Sequence, residues 1–184
     1  EKLYSARYQK FMPSTIFSQN IWEIKKFLRK YKKIIIKPIH SYGGNDIHLL
    51  TKFNSKLISK FIKKHGYIMC QKYLSKIDKG DKRVFLINGK ICGAISRIPK
   101  KGSFLSNMSK GAKAVNVKLT KKEIKISKLI AKQLKKEKIF FSGIDFIDQK
   151  LNGDINVTSP TGLKTLFDLS KINLATTFWK ELKA

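Results

Sequence analysis

Acidic side chains are scarce in this sequence, so the places where they stand carry chemical information. Of twelve Asp and Glu residues among 184, Asp145 lies inside the apolar run Phe140-Phe141-Ser142-Gly143-Ile144-Asp145-Phe146-Ile147, and Asp154 precedes Asn156 by two positions on the next extended segment. Residues i and i+2 of a strand face the same way, so Asp154 and Asn156 share a face, and a hairpin partner would bring Asp145 beside them. Three oxygen donors so arranged suit Mg²⁺, which takes oxygen ligands and shares them with substrate phosphates. The plainer alternative is that Asp154 and Asn156 are turn residues after Gly153.

Two further constellations point the same way. Lys37-Pro38 ends an aliphatic strand and is followed by Ser41-Tyr42-Gly43-Gly44. A lysine there can hold a phosphate as a point charge while adjacent glycines let backbone N–H groups approach it. No Gly-Lys-Ser/Thr opens a helix, so this is not a Walker A loop, and an isolated Gly-Gly is as consistent with a hairpin turn. Asp81-Lys82-Arg83 leads into a strand whose hairpin partner ends at Arg97. Arg83 and Arg97 are two of only four arginines, and their planar forks suit carboxylate or phosphate recognition, against the plain reading of surface cross-strand positions.

The elements that must position these residues alternate between strand and helix. Thr15 to Ser18 reads as extended, and Asn20 with Glu23 is a capping-box spacing that opens a helix through about Tyr31, with Ile21, Ile24, Phe27 and Leu28 on one face. Lys33 to Lys37 and Asp46 to Leu50 read as strands, and Asn54 caps a helix that runs to His65 and stops at Gly66. Tyr67 to Tyr73 is a strand; Arg83 to Ile87 and Lys90 to Arg97 form a hairpin about Asn88-Gly89. Residues 99 to 118 have no clear period and read as a long, mobile loop, of a length that in compact domains is usually functional or mobile. A helix from Thr120 to about Lys138, a strand Ile139 to Ile147, a turn at Asn152-Gly153, a strand Ile155 to Thr158 and one closing helix from about Leu163 complete an α+β protein on antiparallel sheet.

Composition limits the function classes. The net charge of +28 resembles a nucleic-acid footprint. Yet 36 of the 40 basic residues are lysine, and 24 isoleucines and nine asparagines accompany them. These residue types have AT-rich codons, whereas base reading favours arginine, so the charge is read as compositional and no specific nucleic-acid partner is expected. The longest aliphatic stretch is Ile34-Ile35-Ile36, too short to span a membrane. Cys70 and Cys92 stand apart with no CxxC, so neither a disulfide framework nor a zinc site is indicated, and a cytoplasmic setting is expected.

Six segments together support a family resemblance: Lys37-Pro38 with Gly43-Gly44, Gln71-Lys72-Tyr73-Leu74, Gly80-Asp81-Lys82-Arg83, Ala94-Ile95-Ser96-Arg97-Ile98-Pro99, Gly143-Ile144-Asp145, and Ile155-Asn156-Val157-Thr158-Ser159-Pro160-Thr161-Gly162. In order and spacing the chain resembles the bacterial glutathione synthetases of the ATP-grasp superfamily, from Glu1-Lys2-Leu3 to about Gly162. The resemblance implies an ATP-grasp fold, with residues 1–75 as a small nucleotide-binding subdomain and 76–184 as a large subdomain carrying the metal and substrate site. It also implies a ligase that joins γ-glutamylcysteine to glycine using ATP through an acyl phosphate. By the same resemblance Lys2, Lys37, Gly43, Gly44, Gln71, Tyr73, Leu74 and Asp81 would bind the nucleotide. Arg83 and Arg97 would be catalytic. Arg97, Asn107, Ser159 and Thr161 would bind substrate, and Asp145, Asp154 and Asn156 would hold Mg²⁺ or, in its place, Mn²⁺. Such a ligase needs charge neutralisation and alignment rather than a protein nucleophile.

The sequence departs from the family pattern in four places. Ser41-Tyr42 stands where a first glycine is usual, Asp154 where Glu is usual, and Leu105 where the substrate-covering loop carries arginine, with Lys113 at a later basic position. The family's N-terminal α/β domain, which helps form the oligomer, has no counterpart in the chain, so a homo-oligomer is expected only where that domain is supplied. A ligase with a different acceptor and an inactive nucleotide-binding fragment are the competing readings.

Overall fold

The structure, a computed structural model, describes residues 2–41 and 43–183. One helical turn, α1 (Lys2–Ser5), continues as a 3₁₀ segment (Ala6–Phe11). Then come β1 (Thr15–Ser18), α2 (Ile21–Tyr31), β2 (Ile34–Pro38), β3 (His48–Leu50), α3 (Ser55–His65) and β4 (Ile68–Lys72). They are followed by β5 (Asp81–Ile87), β6 (Lys90–Ile98), β7 (Lys113–Asn116), α4 (Lys121–Lys136), β8 (Phe141–Ile147), β9 (Lys150–Asn156), α5 (Leu163–Ser170) and α6 (Leu174–Lys183). Two antiparallel sheets result, one of four strands in the order β1-β4-β2-β3 and one of five in the order β7-β6-β5-β8-β9.

Alternation along the strands decides what each sheet face does. In the four-stranded sheet Ile34, Ile36, Ile68 and Cys70 pack under α2 and α3 with Ile24, Leu28, Ile58 and Phe61. The intervening Ile35, Lys37 and Gln71 face the other way, onto a cavity. Both faces of the five-stranded sheet are covered. Val84, Leu86 and Ile144 meet Ile126, Ile130 and Leu134 of α4, while Phe85, Ile87 and Ile95 meet Leu166 of α5 and Leu174 of α6. Tyr8 and Met12 of the N-terminal segment belong to the α4 cluster, so residues 2–12 lie against the second sheet rather than the first.

Local chemistry accounts for most of the boundaries. Asn20 caps α2 by accepting from the Trp22 and Glu23 N–H groups, but the return half of the expected box goes elsewhere. Glu23 accepts from the Ser18 hydroxyl, which itself accepts from Asn20 N–H. Asn54 caps α3, and Thr120 with Glu123 forms a complete capping box on α4. Asn88 and Gly89 both adopt positive φ, as the two-residue hairpin requires.

Five expectations are corrected. The strand foreseen from Asp46 begins at His48, because Asp46 sits at φ 53° and its carboxylate pairs with Lys64. Residues 99–118 are not all loop: Met108–Lys110 form a 3₁₀ turn and Lys113–Asn116 pair with β6 as an edge strand. The turn after β8 is at Asp148-Gln149, both in the left-handed region, and not at Asn152-Gly153, which lies within β9. Accordingly the strand foreseen over 155–158 begins at Lys150 and ends at Asn156. The closing helix is two helices, broken where Lys171 takes φ 62° and restarted by Asn173, whose side chain accepts from the Ala175 and Thr176 N–H groups. Glu1, where the resemblance begins, and Tyr42, part of a departure from it, lie outside the described residues.

Ile130 is fully enclosed under the large sheet. Ile130→Ala should lower the unfolding free energy by about 2–5 kcal/mol through lost transfer energy plus a residual cavity. Urea denaturation, with an unchanged m value, is the check.

Candidate active site

A cavity of about 750 Å³ lies between the two sheets and is lined by residues from both. Its floor is a set of ion pairs dictated by strand register. Asp81 of β5 stands opposite Arg97 of β6, and Arg83 of β5 stands opposite Asp145 of β8. All four side chains lie on the cavity face, and each residue is more than nine-tenths buried.

Asp145 is the hub. Arg83 grips it bidentately, Nε to Oδ1 at 2.8 Å and Nη2 to Oδ2 at 2.7 Å. Arg97 Nη2 reaches the same Oδ2 at 3.0 Å and pairs through Nε with Asp81 Oδ1 at 2.7 Å and through Nη2 with Asp81 Oδ2 at 2.5 Å. Paired forks of this kind are among the strongest charge-assisted contacts available to side chains. Arg83 Nη1 also donates to the carbonyl and hydroxyl of Thr161 at 3.3 and 3.2 Å, which ties the segment after β9 to the floor.

Burial raises the Asp145 carboxyl, but Arg83 and then Arg97 outweigh it and hold the group well below the ordinary aspartate value. Asp81 is pushed up: burial dominates, and Arg97 opposes it while the Asp145 charge adds to it. The Ser106 hydroxyl, from the segment covering the cavity, lies beside Asp81 and favours its ionised form.

The far wall is cationic. Lys37 projects from β2 and donates to the Asn152 carbonyl at 2.9 Å, with Asn152 Oδ1 and Gln71 Oε1 each at 3.3 Å. Burial lowers its pKa, opposed first by Asp154. Lys2 is buried as well, with Nζ 2.8 Å from the Ser41 carbonyl and 3.5 Å from Asp154 Oδ1.

An irregularity of pairing makes this wall. The register of β8 with β9 shifts between Ile144 and Phe146, so Asn152 and Gly153 are not tied into the ladder. Their carbonyls instead accept from Lys37 and from the Ser5 hydroxyl at 2.8 Å. Gly153 has φ 88°, and a Cβ there would meet the Met69 and Gln71 side chains at 3.1 Å.

The remaining expected residues fall around the same space. Gly43, Gly44, Gln71, Tyr73, Leu74, Asn107, Ser159 and Thr161 line the cavity, as do Asp154 and Asn156. Gly44, at φ 74°, lies so close to the Asn107 side chain that a Cβ would collide with it. Leu105 and Phe104 line the cavity, whereas Lys113 sits exposed on β7 and does not. Sequence reasoning missed Asn152, which looked like a turn residue, and Ser5 and Ser106, for which no local pattern exists.

As a metal site, Asp145, Asp154 and Asn156 offer oxygen donors only, the chemistry a hard cation takes. The hairpin pairs Gly143 with Asn156, so the three residues come from one β8–β9 unit. Among the described residues no three His, Cys, Asp or Glu side chains form a metal-holding group, so the donor set is two carboxylates and one amide. It fits an ion that completes its shell with phosphate oxygens, rather than one caged by protein alone.

Residues 1–171 match the family described as prokaryotic glutathione synthetase, ATP-grasp domain. The chain belongs to this family. It is 37% identical over 174 residues to the glutathione synthetase of Prochlorococcus marinus subsp. pastoris, covering 92% of this chain and 56% of that protein. It is likewise 37% identical over 182 residues to that of Buchnera aphidicola subsp. Baizongia pistaciae, covering 96% and 56%. The chain thus spans somewhat over half the length of these relatives.

Solved ATP-grasp enzymes share the fold. A D-cycloserine synthetase superposes with a TM-score of 0.71 at 13% identity, covering 99% of this chain and 70% of that one. The D-alanine–D-alanine ligase of Bacillus anthracis gives 0.65 at 13%, covering 99% and 66%. The ATP-grasp domain here is therefore α+β, as read from the sequence, and no described helix is long and apolar enough to cross a membrane.

Removing the hub charge leaves the buried Arg83 guanidinium without its carboxylate and takes one of two from Arg97. Asp145→Asn should destabilise the fold by about 3–5 kcal/mol. Because the native carboxyl titrates below the unfolded one, its contribution is fully present above the ordinary value near 3.8 and fades as pH falls. The variant should show a flatter dependence of stability on pH in that acidic range, measurable by denaturant titration at successive pH values.

Proposed function

We propose that this domain is the nucleotide-binding and catalytic part of an ATP-dependent ligase that joins γ-glutamylcysteine to glycine to form glutathione. The observation that carries the reading is the convergence of Arg83, Arg97, Lys2 and Lys37 with Asp81, Asp145 and Asp154 around one cavity, in a chain of the prokaryotic glutathione synthetase family. In this proposal the two sheets are the cores of the two subdomains, 1–75 and 76–184, that hold the nucleotide between them, with the segment 2–12 packed on the second.

Lys2 and Lys37 neutralise the polyphosphate, with backbone N–H groups of Gly43 and Gly44 close to it, while Gln71, Tyr73, Leu74 and Asp81 line the adenosine end. Arg83 and Arg97 face the transferred phosphoryl group and the acceptor carboxylate. The γ-phosphoryl group passes to the dipeptide carboxylate, giving an acyl phosphate and ADP. The glycine amine then attacks the acyl carbon, and inorganic phosphate leaves. Asn107, Ser159 and Thr161 position the substrates.

Asp145, Asp154 and Asn156 would hold Mg²⁺, or Mn²⁺ in its place; two solved ATP-grasp neighbours contain Mg and ADP. A bound divalent ion supplies neutralisation of the phosphate charge. The fixed guanidinium and ammonium groups lower the barrier because they already stand where negative charge develops. A cytoplasmic setting fits the two free cysteines.

ADP release by the purified protein should require γ-glutamylcysteine, and glutathione should form only when glycine is also present. Arg97→Ala should lower kcat by about 10²–10³-fold, the usual consequence of losing one preorganised charge donor at the reacting group. Lys37→Met should mainly raise the KM for ATP. Substrate-independent ADP release, or full activity of Arg97→Ala, would overturn the assignment.

A further inference from the structure

The position of Lys2 needs an explanation that its own helix cannot provide. A single turn, Lys2–Ser5, has no stability of its own in water, because the cost of nucleating a helix is not recovered over four residues. Its place must come from tertiary anchors. Ser5 supplies one, sharing its hydroxyl proton between the Gly153 carbonyl at 2.8 Å and the Lys2 carbonyl at 2.6 Å. Tyr4, Tyr8 and Met12 pack on the α4 cluster, and a further polar anchor lies outside the cavity, at Glu137.

Glu137 stands at the C-terminal cap of α4, where the helix macrodipole disfavours a negative charge. It is one of only twelve acidic residues in the sequence, placed at the wrong end of a helix whose last turn otherwise carries Lys135 and Lys136. Three donors account for it. The Tyr4 hydroxyl donates to Oε2 at 2.5 Å, while Arg7 Nη1 and Gln133 Nε2 donate to Oε1 at 2.7 and 2.6 Å. Tyr4 and Arg7 both belong to the N-terminal segment, and the Arg7 guanidinium lies over the Tyr4 ring at 5.1 Å. The carboxylate therefore joins the end of α4 to the residue two positions after Lys2.

We infer that Glu137 is a positioning residue for nucleotide binding: through Tyr4 it fixes α1 on the large sheet, so that the Lys2 ammonium is presented to the cavity beside Asp154. This rests on the proposed contact of Lys2 with the polyphosphate. A carboxylate serving only the stability of α4 would be better placed at that helix's other end. One serving only the N-terminal segment would leave nucleotide affinity unmoved when removed.

The test is a binding cycle on the full chain, with the dissociation constant of Mg²⁺ and a non-hydrolysable ATP analogue measured calorimetrically. Lys2→Met should weaken binding roughly tenfold, the worth of one charge-assisted phosphate contact. Glu137→Ala should weaken it several-fold, and Tyr4→Phe, which removes one hydroxyl and little else, should reproduce most of that loss. The Lys2→Met/Glu137→Ala double variant should bind no worse than Lys2→Met alone, because Glu137 acts through Lys2. Losses that multiply in the double variant, or unchanged affinity in Tyr4→Phe, would overturn the inference while leaving the ligase reading intact. Absence of nucleotide binding by the unaltered protein would instead remove the reading on which it rests.

Discussion

The grip of two arginines on one buried carboxylate is the constraint from which the rest of the site follows. Asp145 sits in β8, an interior strand, among the buried Ile144, Phe146 and Ile147, a place where an isolated charge would not be tolerated. Arg83 reaches it from the adjacent strand in direct register, and Arg97 reaches it from one strand farther while also holding Asp81. Four charges of alternating sign thereby occupy one sheet face. Removing Asp145 would leave Arg83, and removing Arg97 would leave Asp81, buried without its ionic partner. The same alternation places guanidinium groups on the cavity side before any ligand arrives, the preorganisation that phosphoryl transfer rewards.

The irregular pairing of β9 supplies the complementary wall. Regular pairing with β8 would have tied the Asn152 and Gly153 carbonyls into the ladder. The shift in register instead points them at Lys37, from the other sheet, and at Ser5, from the N-terminal segment. Three stretches distant in sequence are thus joined through two backbone oxygens, and two buried lysines come to rest near Asp154. Glycine at 153 fits because its positive φ and the close approach of Met69 and Gln71 leave a side chain little room.

Much of this was legible beforehand. The helix starts at Asn20, Asn54 and Thr120, the Asn88-Gly89 hairpin and the helix stop at Gly66 are local chemistry, decided within a few residues, and they stand where sequence reasoning put them. What escaped depended on partners far along the chain. Asn152-Gly153 has the composition of a turn, but Asp148 and Gln149 make the turn, and the Asn-Gly pair is drawn into an irregular strand. Lys113–Asn116 is too short to announce itself and becomes a strand only because β6 offers an edge. The role of Ser106 beside Asp81 has no local signature at all.

Sequence by itself determined the chemical inventory. Scarce carboxylates, two arginines in a lysine-rich chain, a lysine before a proline and six ordered motifs are covalent facts, and their period-2 and period-3.6 patterns set which residues share a face. Only the tertiary structure decided how those groups meet. Strand register makes Asp145 a partner of two arginines, and the shifted pairing of β9 turns backbone carbonyls toward Lys37 and Ser5. Glu137 in turn, from the end of a distant helix, anchors the segment that carries Lys2. Register and long-range contact depend on the packing of whole elements, a balance of many weak terms that no local stretch of sequence contains.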